Sequence, residues 1–408
     1  MTAPGARYIR PLARLSRADE PRFGGKSAGL GELLSAGIQV PAGFALCTAA
    51  FRFFITEAGL QSLIDKRLAS LSPDDLGGVQ SACAELTEAI RSAPMPGAVQ
   101  EEIDRAYGEL GGHSSDAAAA GATAVAVRSS AIGEDSESAT FAGQQQTFLW
   151  VAGALNVIDA VRDCWASLYS PTAVSYRARA ASADRARASG TVGAAGAAGA
   201  PGAPGAPGAP GAPGAPGAAD ASGASGATEP PAMGVAVQVM VDALVSGVMF
   251  TCNPVSGDPS TIAVNASWGL GEAVVGGEVT PDEYRLSKVT GEVLRERIGD
   301  KLVEYVAAPA GGGTIRRDVA PERRNVRCLS ETELRALVEL ARRVERHFGS
   351  HQDIEWAIAR DGSSPANLFV LQSRPVTAVP KRNQKPRATT AIGLVMSTFG
   401  VDPAPRDT

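Results

Sequence analysis

The sequence predicts a protein of mixed helix and sheet in two folded parts. Three observations lead there. Thr48 to about Leu110 carries apolar residues at helical spacing, with Phe51, Phe54 and Ile55 on one stripe and Leu60, Ile64 and Leu68 on another. After residue 233 the pattern changes to short β-branched runs such as Val235-Ala236-Val237-Gln238-Val239 and Ser246-Gly247-Val248-Met249-Phe250-Thr251. Between these regions, residues 181–232 break every pattern, and glycine recurs at each third position from Gly193 to Gly217. Nine such triplets make a very short collagen-like stretch. A flexible to semi-extended insert that builds no core is the better reading.

Composition sets the bounds. The chain has 408 residues, enough for two or three domains, and its 44% hydrophobic and 20% charged content is that of a soluble globular protein. A net charge of −5, with no basic run interleaved with aromatics, gives no support for nucleic-acid binding. The cysteines, Cys47, Cys83, Cys164, Cys252 and Cys328, are widely spaced and form no CxxC pair. They read as buried free thiols in a reducing compartment. The first twenty residues carry no apolar segment of signal-peptide character. The most apolar run, Val235–Phe250, is interrupted by Gln238, Asp242 and Ser246 and is too short to span a bilayer. A cytoplasmic location, with no membrane and no nucleic-acid partner, is the expectation.

In chain order, Gly24–Gly37 reads as a glycine loop entering a short helix, with Leu30, Leu33 and Leu34 on one face and Gly37 as C-terminal cap. Lys26 in this loop suits a phosphate. Gly25-Lys26-Ser27 is not a Walker A loop, because Glu20 stands where that motif needs its first glycine. Gly25-Lys26-Ser27-Ala28-Gly29 also fits a nucleophile elbow by spacing, but Asp19-Glu20-Pro21-Arg22 is no buried strand to precede one. Ala124–Val127 reads as a buried strand that delivers Arg128, whose forked donors keep their charge at any relevant pH. A loop follows in which Gly143 lets backbone approach a ligand, and Thr147–Val151 is the next strand. Ala154–Leu168 and Pro171–Arg179 read as helices, with Trp165, Leu168 and Tyr169 in the core.

Beyond the insert, the short link between the runs Val235–Val241 and Ser246–Thr251 predicts a hairpin. Ile262–Asn265 is a strand, Ala266–Ala273 a glycine-rich turn suited to covering a ligand, and Val279–Leu286 opens another strand pair. Ser330-Glu331-Thr332-Glu333 fits a capping box before a helix that runs to about His347. Two strands end the pattern, Asp353–Ile358 and Leu368–Pro375. Glu355 and Gln372 on them offer the oxygen donors magnesium prefers, and Arg374 offers phosphate charge.

Five segments recur here in a set order: GGKSAGLGELLSAGIQVPAGF, AVRSSAIGEDSESATFAGQQQT, VSGVMFTCNPVSGD, ASWGLGEAVVGGEVTPDEY, and DIEWA with VLQSRPVT. Together they resemble the N-terminal nucleotide-binding region of the phosphoenolpyruvate synthase and pyruvate phosphate dikinase family, which includes rifampicin phosphotransferase. The resemblance covers residues 8–378 apart from the insert. It implies an α+β, ATP-grasp-like fold, in which two lobes clamp ATP. The expected parts are an N-terminal subdomain at 8–180, the insert at 181–232, a C-terminal subdomain at 233–378 and a disordered tail at 379–408. It also places Lys26, Arg128, Gly143, Thr147, Gln238 and Arg374 at nucleotide positions, with Arg128 and Arg374 the catalytic charges, and Glu355 and Gln372 at magnesium positions. Phosphoryl transfer is mostly positioning and charge neutralisation, and these residue types suit it.

Relatives of this kind continue into a domain with a phosphorylatable histidine. The histidines here are His113, His347 and His351, none in a Gly-rich Thr/Ser-His motif. The resemblance therefore implies an ATP-binding phosphotransferase subunit that uses ATP and Mg²⁺ to phosphorylate a histidine on a partner, which passes the phosphate to pyruvate or another small acceptor. A split enzyme resembling phenylphosphate synthase fits that description. A nucleotide-binding regulatory module without transfer chemistry, or a truncated synthase, is the alternative.

Overall fold

Two antiparallel sheets with helices around them make up the computed structural model, which describes residues 7–71, 75–111, 122–132, 146–175, 177, 231–309 and 312–376. Gly143, His113, the tail 379–408 and all of the 181–232 insert except its last two residues lie outside the described residues. The first sheet contains β1 (Ile9–Pro11), β2 (Gly43–Leu46), β3 (Ala124–Ala131), β4 (Thr147–Ala152) and β5 (Met233–Val239), in the order β1-β2-β5-β3-β4. Residues 124–130 and 233–239 are buried almost throughout, as strands covered on both faces must be. The sheet thus takes strands from both sides of the insert, and β5, at the start of the expected C-terminal subdomain, lies between β2 and β3.

Helices cover this sheet: α1 (Glu20–Phe23), α2 (Gly25–Ser35), α3 (Thr48–Glu57), α4 (Gln61–Ala69), α5 (Leu76–Ser92), α6 (Gly97–Gly111) and α7 (Ala154–Ala166). The apolar stripe of α3 meets α7 where the rings of Phe51 and Phe54 lie 5.7 and 5.1 Å from that of Trp165. Helix α2 stops in a Schellman arrangement. Gly37, at φ 68°, donates to Leu34 O, and Ile38 N donates to Leu33 O.

The second sheet contains β6 (Ala243–Phe250), β7 (Thr261–Trp268), β8 (Asp282–Ser287), β9 (Val293–Arg297), β12 (Gln352–Ala359) and β13 (Leu368–Pro375). Its order is β13-β12-β6-β7-β8-β9, and β10 (Val303–Ala307) pairs with β11 (Thr314–Asp318) as a separate hairpin. Short helices α8 (Glu272–Val275) and α9 (Pro321–Arg324) precede the long α10 (Glu331–Phe348). Ser330 and Glu333 form the expected capping box, and α10 buries Leu334, Leu337, Val338, Ala341 and Val344. All five cysteines are free and buried. Among the described residues, no helix is long and apolar enough to cross a membrane.

The expected hairpin between the two runs after the insert does not form. β5 has both edges taken by β2 and β3, and β6 has both taken by β12 and β7. The short link at residues 240–242 instead carries the chain from one sheet to the other.

A charge cluster fastens α10 to the loop after β8. Lys288 Nζ donates to both oxygens of Glu345, at 3.0 and 2.8 Å, and His351 Nδ1 lies 3.2 Å from Glu345 Oε2. Burial works against the charge on Glu345. Hydrogen bonds from Lys288, Thr251 and His351 outweigh it and hold the carboxyl below its ordinary range. A lowered folded pKa contributes stability above the unfolded carboxylate pKa, and that contribution fades as pH falls through the folded value. Glu345→Gln is therefore expected to lower stability by about 0.5 kcal/mol at neutral pH, allowing for solvent screening. Wild type and variant should converge below the carboxylate range in thermal unfolding followed against pH.

Candidate active site

A cavity of about 530 Å³ lies between the two sheets. The first sheet lines it with Ala126, Arg128, Thr147, Leu149 and Gln238, the crossing segment with Met240 and Val241, and α2 with Lys26. Ser246 and Gly247 of β6, Glu355, Trp356 and Ala357 of β12, and Leu371 and Gln372 of β13 form the opposite wall. Leu270, Gly271, Glu272, Val275, Glu278 and Tyr305 close the remaining side. Its size is that of a small-molecule site, with apolar walls and a few convergent polar groups.

One end of the cavity is polar. Glu355 and Gln372 sit directly opposite each other on β12 and β13 and so share a face. Arg128 reaches across from β3, and its Nη1 lies 3.4 Å from Glu355 Oε2, from Gln372 Oε1 and from Leu371 O. These are long, weak hydrogen bonds that leave the guanidinium free to meet a better acceptor. Arg128 is only 8% exposed, and its Nε has no hydrogen-bond partner among the described residues. Lys26 is 6% exposed and donates from Nζ to Ser129 O at 3.0 Å.

The glycine loop sets Lys26 there by pressing α2 onto β3. A Cβ on Gly24, at φ +79°, would fall 2.0 Å from Ser130 O. Ser27 N, in turn, donates to Ser130 Oγ at 3.1 Å. A similar fit fixes the glycine turn on the far side of the cavity. A Cβ on Gly269 would fall 2.5 Å from Tyr305 O, and Leu270 N donates to that oxygen at 2.9 Å. Ser246 Oγ donates to Gly269 O at 2.6 Å. The profile of the family described as "Pyruvate phosphate dikinase, AMP/ATP-binding domain" matches residues 20–392.

The chain belongs to this family. Among curated relatives, a probable phosphoenolpyruvate synthase of Methanothermobacter thermautotrophicus is 37% identical over 380 residues, 92% of this chain and 47% of that protein. The phosphoenolpyruvate synthases of Pyrococcus furiosus and Aeropyrum pernix are each 34% identical, over 91% and 94% of this chain and 44% of those proteins. The chain spans less than half the length of these relatives.

Within this AMP/ATP-binding domain, Lys26, Arg128, Thr147, Gln238, Glu355 and Gln372 all line the one cavity. Gly143 lies outside the described residues. Arg374 is not among the lining side chains. It stands two residues beyond Gln372 on the same strand face, half exposed, and its Nε donates to Asp353 Oδ2 at 2.9 Å. Burial pushes the Asp353 carboxyl above its ordinary value, with the Arg374 charge working against that rise. His347 and His351 lie away from the cavity, next to Glu32 and Glu345.

Glu355 and Gln372 are the oxygen donors that could hold a divalent cation. Among the described residues there is no group of three or more His, Cys, Asp or Glu side chains arranged for a metal. One carboxylate and one amide oxygen match an ion that keeps water and phosphate as its other ligands, which is the habit of magnesium.

Glu278 and Tyr305 were not legible as site residues in the sequence, and Glu272 was so only as part of the glycine-rich turn suited to covering a ligand. Tyr305 OH lies 3.0 Å from both carboxylate oxygens of Glu278. Their meeting depends on a turn and a hairpin that sequence spacing does not bring together.

Proposed function

We propose that this chain is the ATP-binding part of a phosphotransferase of the phosphoenolpyruvate synthase type, with an ATP-grasp architecture that holds ATP–Mg²⁺ between the two sheets. The observation that carries the reading is the convergence of Lys26, Arg128, Glu355 and Gln372 in one largely apolar cavity between the sheets. Lys26 and Arg128 bind and orient the phosphates. When bound, magnesium at Glu355 and Gln372 would neutralise phosphate charge. An incoming phosphate is a stronger acceptor than the oxygens Arg128 now meets at 3.4 Å. It draws the guanidinium off Glu355 and Gln372 and leaves both free for the cation. Thr147 and Gln238 add polar contacts from β4 and β5, and Gly143 and Arg374 are further phosphate contacts in this reading.

The acceptor is a histidine on a partner domain. A phosphorus–oxygen bond of ATP breaks as a phosphorus–nitrogen bond to the imidazole forms, the nucleotide product leaves with the bridging oxygen and its electron pair, and the phosphoryl group passes on to pyruvate or another small acceptor. The reading is tested by mixing the chain with labelled ATP, Mg²⁺ and a histidine-bearing domain of a synthase relative. Acid-labile label on that domain is the expected result. ATP bound, with no label transferred to such a domain, would contradict transfer and leave a nucleotide-binding regulatory module.

A further inference from the structure

We propose that Glu272 is a specificity-determining residue that accepts hydrogen bonds from the sugar hydroxyls of the nucleotide, an inference that rests on the ATP-binding reading above. Glu272 lines the cavity, and its Oε2 is buried with no hydrogen-bond partner among the described residues. Across the same cavity, Gln238 is 2% exposed, and its Nε2 is likewise buried without a partner. A buried polar atom left unpaired is costly, so an acceptor and a donor both left open in one cavity mark a place for a ligand that offers both. The neighbouring hydroxyl that could have satisfied Glu272 is engaged elsewhere, because Tyr305 OH lies against Glu278.

Position decides which part of the nucleotide Glu272 meets. The phosphate-binding charges converge on Gln372 and Glu355, at the β13–β12 side of the sheet. The turn bearing Glu272 is fastened to Ser246 of β6, one strand beyond β12, through Ser246 Oγ and Gly269 O. Two strand spacings separate β13 from β6, on the order of 10 Å. A phosphate beside Glu272 would meet like charge, whereas Leu270, Val275 and Met240, which line the same cavity, suit the uncharged end of the molecule.

An ionised carboxylate only accepts hydrogen bonds. The uncharged end of ATP carries two kinds of donor, the base amine and the vicinal sugar hydroxyls. The amine is flanked by ring-nitrogen lone pairs that a carboxylate repels. The vicinal hydroxyls offer two donors side by side to two carboxylate oxygens, the same chemistry by which acidic side chains hold ribose in dinucleotide sites. The open donor of Gln238 complements this by facing an acceptor on base or sugar.

The test is calorimetric titration of wild type, Glu272→Gln and Glu272→Ala with ATP and with 2′-deoxyATP, in Mg²⁺, with thermal unfolding run in parallel. Wild type is expected to bind ATP about tenfold more tightly than 2′-deoxyATP. Glu272→Ala should lose most of that preference by weakening ATP more than 2′-deoxyATP, which keeps one of the two hydroxyls, and Glu272→Gln, which keeps the shape and one acceptor, should fall between. A preference that survives in Glu272→Ala, or equal weakening toward both nucleotides, overturns the inference while leaving ATP binding intact. Failure of folded wild type to bind either nucleotide overturns the ATP-binding reading itself.

Discussion

Replacing Asp282 by alanine is expected to lower the free energy of unfolding by about 3–5 kcal/mol. Asp282 and Lys301 are both 0% exposed and form an ion pair. The carboxylate is fully engaged. Its Oδ1 accepts from Lys301 Nζ and from Gly299 N at 2.9 Å, and its Oδ2 accepts from Cys328 N at 2.8 Å and Tyr284 OH at 3.2 Å. Alanine would leave a buried ammonium group facing no charge and two buried backbone donors facing no acceptor. The segment held this way leads directly into β10, whose Tyr305 anchors the glycine turn of the cavity, so the loss should also weaken ligand binding. Urea unfolding of wild type, Asp282→Ala and Asp282→Leu/Lys301→Met provides the check. The double variant should recover part of the loss, because an apolar pair no longer strands a charge. A loss under about 1 kcal/mol in Asp282→Ala would contradict the account.

Arg128→Met is expected to weaken ATP at least tenfold, about 1.4 kcal/mol, and to slow phosphoryl transfer on the order of a thousandfold. The larger kinetic effect follows because a guanidinium stabilises charge that grows in the transition state, beyond what it contributes to the bound substrate. The fold should tolerate the change. The Glu355 side chain that faces Arg128 is 31% exposed and can take water in its place, and methionine fills most of the buried volume. Titration with ATP–Mg²⁺, together with single-turnover transfer to a histidine-bearing domain, measures both effects. Unchanged ATP affinity in a folded variant would remove Arg128 from the phosphate site.

Much of the fold was legible in the sequence because it is set by local pattern. The stripe of Phe51, Phe54 and Ile55, the Schellman stop at Gly37 and the capping box at Ser330 each depend on residues within one or two turns, and the structure shows all of them. Pairing was less legible. The runs that became β5 and β6 look like hairpin strands because only a short link divides them. Their actual neighbours, β2 and β3 for one and β7 and β12 for the other, come from distant parts of the chain. Strand content is local, whereas the choice of sheet is a competition among all strand edges.

The site divides in the same way. Lys26, Arg128, Glu355 and Gln372 stood out because each is a charged or amide group set in an apolar or glycine-rich run, where a purely structural element has little use for it. Arg374 stood out for the same reason; in the structure its Nε donates to Asp353 Oδ2, and it is not among the side chains that line the cavity. Glu272 and Glu278 gave no such signal. They sit in a turn rich in polar and glycine residues, where an acidic side chain is ordinary. Their place in the cavity wall appears only once Leu270 N meets Tyr305 O on the far side.

In the proposed reading, the cavity between the sheets binds ATP with a divalent cation at Glu355 and Gln372. That binding is tested most directly by calorimetric titration of wild type and Glu355→Gln with ATP, each with Mg²⁺ and with a chelator. Wild type is expected to bind in the micromolar range in Mg²⁺ and at least tenfold more weakly in chelator, with a much smaller dependence on Mg²⁺ in Glu355→Gln. A folded wild-type chain that takes up no ATP, or whose affinity is the same with and without Mg²⁺, would contradict that reading.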